Sequence, residues 1–217
     1  MTTGEPLIRW DWIATHLDEF AGRGVQHVEL TVLAVGVGLA ISFLLSLLVL
    51  RYPPAEGPAT FVTGTLYTIP SLALFALLVP YTGLTTLTAE IGLVSYTLLI
   101  LTRNIVRGIR DVPADIREAA LGMGYTRRQL LWRIEMPLAL SVIVAGVRIA
   151  TVTTIGLVTV TALIGQGGFG ALILAGMLTF FSTEIIAGAA LSVLLAVAAD
   201  AGLVLLQRAL MPWTRGT

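Results

Sequence analysis

The chain has 217 residues, of which 56% are hydrophobic and only 12% charged, with a formal net charge of zero and a mean hydropathy of +0.91. A water-soluble domain carries about 25% charged residues, so a soluble enzyme is excluded as the starting point and an integral membrane protein is left. All 13 basic residues are Arg, there are 13 acidic residues and no Cys. Nothing in this balance points to nucleic acid, and disulfides, Cys-ligated zinc, iron–sulfur clusters and thiol catalysis are out. Without Lys there is no Walker A phosphate loop and no Schiff base. The two His, His16 and His27, precede the first long apolar run, so no metal site within the membrane and no cofactor are expected.

A helix needs about 20 apolar residues to cross the hydrocarbon core. In chain order, residues 1–27 mix acids with Trp10 and Trp12, which read as interfacial anchors of an extracytoplasmic segment rather than as a cleaved signal. Spans follow at Val28–Leu50, Ala59–Pro80, Leu87–Val106 and Pro137–Ile164, with a last one at Ile185–Leu206. Glu29 and Glu90 then sit near span starts. Ala171–Phe181 is apolar but too short to cross upright. The expected fold class is therefore all-α integral membrane, with about five transmembrane helices in one domain, 28–207, and a tail at 208–217.

From the end of span three to the start of span four lie Arg103, Arg107, Arg110, Arg117, Arg127, Arg128 and Arg133, whereas 165–183 holds no basic residue. The excess of Arg marks the 111–136 loop as cytoplasmic. Five spans then put the N-terminus outside and Arg208 and Arg215 inside. Arg9 and Arg23 dissent, among Glu5, Asp11, Asp18 and Glu19.

The loop itself is patterned. Asp115 can cap a helix and Glu118 can return the bond. Ile116, Ala119, Ala120 and Met123 follow at helical spacing as a small apolar face. Gly124 suits the left-handed residue that ends a helix. Thr126 and Gln129 form a second capping pair, and Leu130, Leu131 and Ile134 continue an apolar stripe as far as Pro137. The pattern reads equally as a docking surface and as an ordinary amphipathic connector.

Within the spans, charges are functional candidates. Arg148 lies 11 residues past Pro137, about 16 Å along a helix. Asp200 lies eight residues before Arg208. The two are expected to form a structural ion pair between the last two spans, or else to face a pathway. Thr151, Thr154 and Thr161 share a helix face near Arg148, suited to a polar pathway or to helix packing. Pro70 should kink span two and free a carbonyl, with Tyr67 and Ser71 beside it, as a wall of a pathway or gate. The run 165–170, GQGGFG, lacks a following Lys and reads as a flexible link into the short helix. Tyr67, Tyr81, Tyr96 and Phe169 could face a quaternary ammonium by cation–π contact or could serve packing.

EAALGMG (118–124) followed by IEMPLAL (134–140) resembles the "EAA" loop of binding-protein-dependent ABC importer permeases. The matching positions are Glu118, Ala119, Ala120, Gly124, Ile134 and Pro137, and Met136 replaces the more usual Leu. TIPSLALFALLVPYTGL (68–84), SYTLLILTRNIVRGI (95–109) and ALIGQGGFGALI (162–173) resemble the osmoprotectant branch of that family. The permeases of methionine importers are similar in size, span number and loop. The resemblance implies a loop docked on cytoplasmic ATP-binding subunits, a second permease subunit (identical or paralogous), an extracytoplasmic solute-binding protein, and ATP hydrolysis outside this chain. It implies import of glycine betaine, choline or carnitine, with a methionine or amino-acid importer as the alternative. A gradient-driven transporter should show inverted repeats and several deep acids, and only Asp200 is read as deep. An intramembrane enzyme lacks its His, Cys or Lys.

Overall fold

The computed structural model describes residues 6–211. It is helical throughout: α1 (Trp10–Thr15), α2 (Leu17–Arg51), α3 (Glu56–Thr68), α4 (Ser71–Thr82), α5 (Thr86–Arg110), α6 (Ala114–Gly122), α7 (Arg127–Leu130), α8 (Met136–Val160), α9 (Phe169–Thr179) and α10 (Ser182–Leu210). Among the described residues, α2, α5, the continuous helix Arg127–Ile164 and α10 are long and apolar enough to cross a membrane. The α3–α4 pair makes a fifth crossing only if taken as one broken span, because the two helices meet at 97°.

That break corrects the expectation of a single kinked helix over 59–80. Proline biases the residue before it toward extended backbone. Both Ile69 (ψ 127°) and Pro70 (ψ 133°) are extended, so α3 stops at Thr68 and α4 starts afresh at Ser71. The Ile69 carbonyl freed by the break accepts from the Tyr96 hydroxyl of α5.

The first span also departs from expectation. α2 starts at Leu17, well before Val28, and runs for 35 residues. Nothing between 17 and 28 breaks a helix, and Asp18 and Glu19 in its first turn suit the positive end of the helix dipole. Helices of this length, about 52 Å, exceed the ~30 Å hydrocarbon core. An apolar run marks where lipid begins and leaves open where the helix begins.

α5 is the centre of the bundle, packed against α2, α3, α4 and α8. Lipid gives apolar helices little reason to associate, so close approach at small residues supplies the attraction. Thr97 fills the space where a side chain at Gly38 would stand, and Phe75 does the same at Gly92. A Cβ at Gly146 would come 2.5 Å from Asn104 Cβ. Around these contacts lie two cores: Leu30, Ala34, Phe75, Ala89, Leu93, Val158 and Ile164 toward one end, and Ile105, Ile109, Ala139 and Ile143 toward the Arg-rich end. Hydroxyls on the spans bond back into their own helices, as Thr31 to the His27 carbonyl (2.8 Å) and Ser46 to the Ser42 carbonyl (2.7 Å). In contrast, α10 leaves most of its apolar surface exposed.

The 165–170 turn, expected as a flexible link, is packed against the rest of the chain from Gly167 to Gly170. Gly165, Gly167 and Gly168 all have positive φ, and a Cβ at Gly168 would lie 2.5 Å from His27 Cβ. His27, expected ahead of the spans, is wholly buried on α2. Its Nε2 donates to the Ile155 carbonyl (3.0 Å) and its Nδ1 accepts from the Phe169 N–H (3.3 Å). This pairing uses the neutral ring with its proton on Nε2. Gln26 Oε1 accepts from the Gly168 N–H at 3.3 Å. Trp12 packs its ring on His16 (centroids 4.1 Å apart) and against Phe20 and Phe181, so it ties α1 to the α9–α10 turn. Trp10 stays exposed.

A side chain at Gly170 would run into the Thr159 backbone, whereas Gly36 faces open space. Gly170→Ala is expected to lose about 1–3 kcal/mol by overpacking, read as a lower unfolding temperature in detergent. Gly36→Ala should match the wild type or exceed it.

Candidate functional site

The loop after α5 is a short helix set between two well-defined ends. Pro113 stands at the N-cap of α6, which carries no side-chain cap. The expected Asp115–Glu118 capping box therefore does not form: the helix starts at Ala114, which leaves Asp115 in the first turn and Glu118 past the position from which it could return the bond. Asp115 still sits where a carboxylate meets the unsatisfied N–H groups of a helix start. The C-terminal end is as the sequence suggests. Gly124 is left-handed (φ 85°), and two bonds close the turn, Tyr125 N–H to the Ala120 carbonyl (3.1 Å) and Gly124 N–H to the Leu121 carbonyl (3.0 Å). The Thr126–Gln129 box is present too, with both reciprocal bonds made (3.3 and 2.8 Å).

The second helix does not stop at Pro137. It widens into a π turn over Leu131–Glu135 and continues as α8. The wider turn takes up the strain of the Pro137 ring against the preceding turn and its missing N–H. Ile134 is half-buried and Pro137 exposed.

The expected apolar face of α6 divides in two. Ala120 is buried against the rest of the chain, whereas Ile116, Ala119, Leu121 and Met123 point outward, with Glu118 also exposed. On the inner side, Arg117 donates from Nε to Glu135 Oε1 (2.7 Å) and from Nη2 to the Ile109 carbonyl at the end of α5. Nearby, Arg110 forms a two-pronged pair with Glu56 at the start of α3 (2.7 and 2.9 Å). Sequence reading missed these partners. The available signal was a lone acid, Glu135, between Ile134 and Met136 in an otherwise apolar stripe.

The intramembrane candidates fall into two separate places. Tyr67, Pro70 and Ser71 gather at the α3–α4 break, where the Tyr67 ring meets Tyr96 edge-on, 6.0 Å between centroids. Arg148 and Asp200 form the expected pair, joining α8 to α10 through two bonds of 2.8 and 2.9 Å. This fork-to-carboxylate geometry is the strong form of the interaction. The pair borders a cavity of about 460 Å³ with Ala145, Ile149, Val152 and Thr153. Thr151 and Thr154 are not part of it. Thr151, half-buried, bonds to the Val147 carbonyl (2.8 Å), and Thr154 and Thr161 are buried in protein. The four aromatics do not converge on a cage: Tyr81 is exposed, and Phe169 packs in a core with Phe20 and Leu172.

Glu90, placed by sequence near a span start, is buried, and neither of its carboxylate oxygens has a hydrogen-bond partner among the described residues. It borders, with Gln26, Glu29, Thr86 and Gln166, a groove of about 900 Å³ along α2.

Removing one member of an intramembrane ion pair strands the other charge. Arg148→Gln and Asp200→Asn should each lower assembled yield and unfolding temperature. The Arg148→Leu/Asp200→Leu double variant should be milder than either. Two intact single variants would remove the structural role of the pair.

Comparison with known proteins places this architecture. Residues 33–216 match the family described as "Binding-protein-dependent transport system inner membrane component". The osmoprotectant import permease protein OsmW of Salmonella typhimurium is 38% identical over 86% of this chain and 89% of its own length. The carnitine transport permease protein OpuCB of Listeria monocytogenes is 37% identical over 77% of each. The choline transport system permease protein OpuBB of Bacillus subtilis is 31% identical over 93% of each. In fold, the chain is similar to the MetNI methionine ABC transporter in an inward-facing conformation, with a TM-score of 0.78 at 19% identity, covering 90% of this chain and 98% of that one. An amino acid ABC transporter solved with histidines gives 0.78 at 18% identity, covering 96% and 99%. The chain therefore belongs to the inner membrane components of binding-protein-dependent transport systems.

Proposed function

We propose that the chain is the permease subunit of an ATP-driven importer whose solutes are osmoprotectants carrying a quaternary amine, such as glycine betaine, choline or carnitine. The observation that carries the solute class is the 38% identity to a permease named for osmoprotectant import, maintained over 86% of the chain. The methionine and amino-acid transporters that share the fold are only 19% and 18% identical, which makes amino-acid import the second reading.

The working unit on this reading is a pair of permease subunits, identical or paralogous, because five spans enclose little lumen alone. The pathway lies between them, and an extracytoplasmic binding protein delivers the solute. ATP is bound and hydrolysed by cytoplasmic partners, since this chain has no Lys for a Walker A loop. The Arg-rich end, with α6, faces the cytoplasm, so residues 1–27 begin outside and 208–217 end inside.

The exposed face of α6 (Ile116, Ala119, Met123) supports its role as the ATPase contact. A small residue at 119 lets another surface approach closely, and Glu118 adds a charge at its edge. Ala120 anchors that face from behind, and Asp115, Gly124, Ile134 and Pro137 complete the coupling loop. When the ATPase pair closes, α6 moves and the spans turn toward the opposite access. Tyr67, Pro70 and Ser71 at the α3–α4 break form the wall that yields.

Glu118→Ala with Gly124→Leu should leave the spans inserted, weaken ATPase retention and abolish uptake. Normal retention and uptake would overturn the docking role. For the solute, the binding protein is titrated with glycine betaine, choline, carnitine and methionine. Saturable binding of at least one quaternary amine is expected, and binding of methionine alone would overturn the solute class.

A further inference from the structure

α6 is joined to α5 by the bend at 111–113 and to α7 by the left-handed turn at Gly124. Side chains on its inner face carry a displacement of its outer face toward the spans. Two residues occupy that position: Ala120, which is buried, and Arg117.

Arg117 is suited to hold two elements at once. Its guanidinium is a planar fork of donors that stays charged. One nitrogen engages Glu135, at the end of the π turn that leads into α8, and another engages the Ile109 carbonyl in the last turn of α5. The Glu135 side chain is only 13% exposed, so this bond is largely sheltered from solvent. Carbonyls in the last turn of a helix lack an intrahelical donor, and a cation there also meets the negative end of the helix dipole. α5 and α8 are in turn packed backbone-close at Gly108 against Ala139 and at Gly146 against Asn104. One residue beyond Ile109, Arg110 grips Glu56 at the start of α3. A single side chain thus ties the outer-facing helix to α5 and α8, and through Arg110 to the helix that ends at the Ile69–Pro70 break.

We infer that Arg117 is the positioning residue that couples α6 to the spans: it converts movement of the α6 face into joint movement of α5 and α8, without being part of the contact with the ATPase. This inference rests on the reading of α6 as the ATPase's docking surface. It adds a strut behind that surface and assigns Glu135 and the Ile109 carbonyl as its two seats.

The test uses the complete importer in proteoliposomes, with two separate readouts. One is retention of the ATPase through affinity purification. The other is stimulation of ATP hydrolysis by the binding protein, purified without refolding so that it carries its own solute. Arg117→Gln should retain the ATPase and a basal hydrolysis rate within about twofold of wild type, while stimulation falls about tenfold. Glu135→Gln cuts the same strut from the other side and should act alike, which keeps the test intact if the Arg117 variant does not assemble. Arg117→Lys keeps the charge but loses the fork, so it should fall between. Wild-type stimulation in Arg117→Gln overturns the inference. Loss of ATPase retention in Arg117→Gln also overturns it, by placing Arg117 in the docking contact. Full retention in Glu118→Ala/Gly124→Leu instead overturns the docking reading itself, whatever Arg117 does.

Discussion

Apolar helices in lipid gain almost nothing from the hydrophobic effect when they pair, so this fold depends on how closely α5 can approach its neighbours. Gly38 admits Thr97, Gly92 admits Phe75 and Gly146 admits Asn104. Each of these contacts brings a helix backbone against a side chain of its neighbour. Dispersion rises steeply with such proximity, and a packed interior of this kind shifts as blocks rather than deforming smoothly. α2, α5 and α8 consequently make one body. The broad exposed surface of α10 is what this body leaves over for lipid or for another subunit.

The same constraint gives the loop its importance. A body held this tightly can be moved from one end, provided something grips that end. At the Arg-rich end the grips are polar: Arg117 to Glu135 and the Ile109 carbonyl, and Arg110 to Glu56. At the opposite end His27 and Gln26 clasp the 165–170 turn. Between them lies the extended Ile69–Pro70 step, whose freed carbonyl accepts from the Tyr96 hydroxyl. On the proposed reading, the clasped ends carry the motion and the break is where it is absorbed.

Local signals were legible in the sequence. Gly124 ends α6 in the left-handed conformation, the Thr126–Gln129 box caps α7, and Arg148 finds Asp200, because each depends on neighbours within a turn or on the scarcity of charge in a span. The missed features were governed by distant partners or by backbone alternatives that residue type alone does not decide. His27 looked like part of a polar preface, yet its bonds go to Ile155 and Phe169, more than a hundred positions away. Arg117 counted only toward orientation, because Glu135 is 18 residues on and reads as a gap in an apolar stripe. Asp115 looked like a cap until Pro113 took that position. Pro137 read as a stop because the π turn that lets the helix pass it leaves no mark in composition. The α3–α4 run passed a hydropathy test as a whole, which is blind to a 97° bend.

The central claim is that this chain works as the membrane part of an importer powered by a separate ATPase. The most direct measurement is a mild-detergent pull-down of the chain from its native membrane, with mass spectrometry of all retained proteins. The account predicts an ATP-binding subunit and an extracytoplasmic solute-binding protein in the retained set. Recovery of the folded chain without any ATPase, under conditions that keep a known importer complex whole, would contradict it.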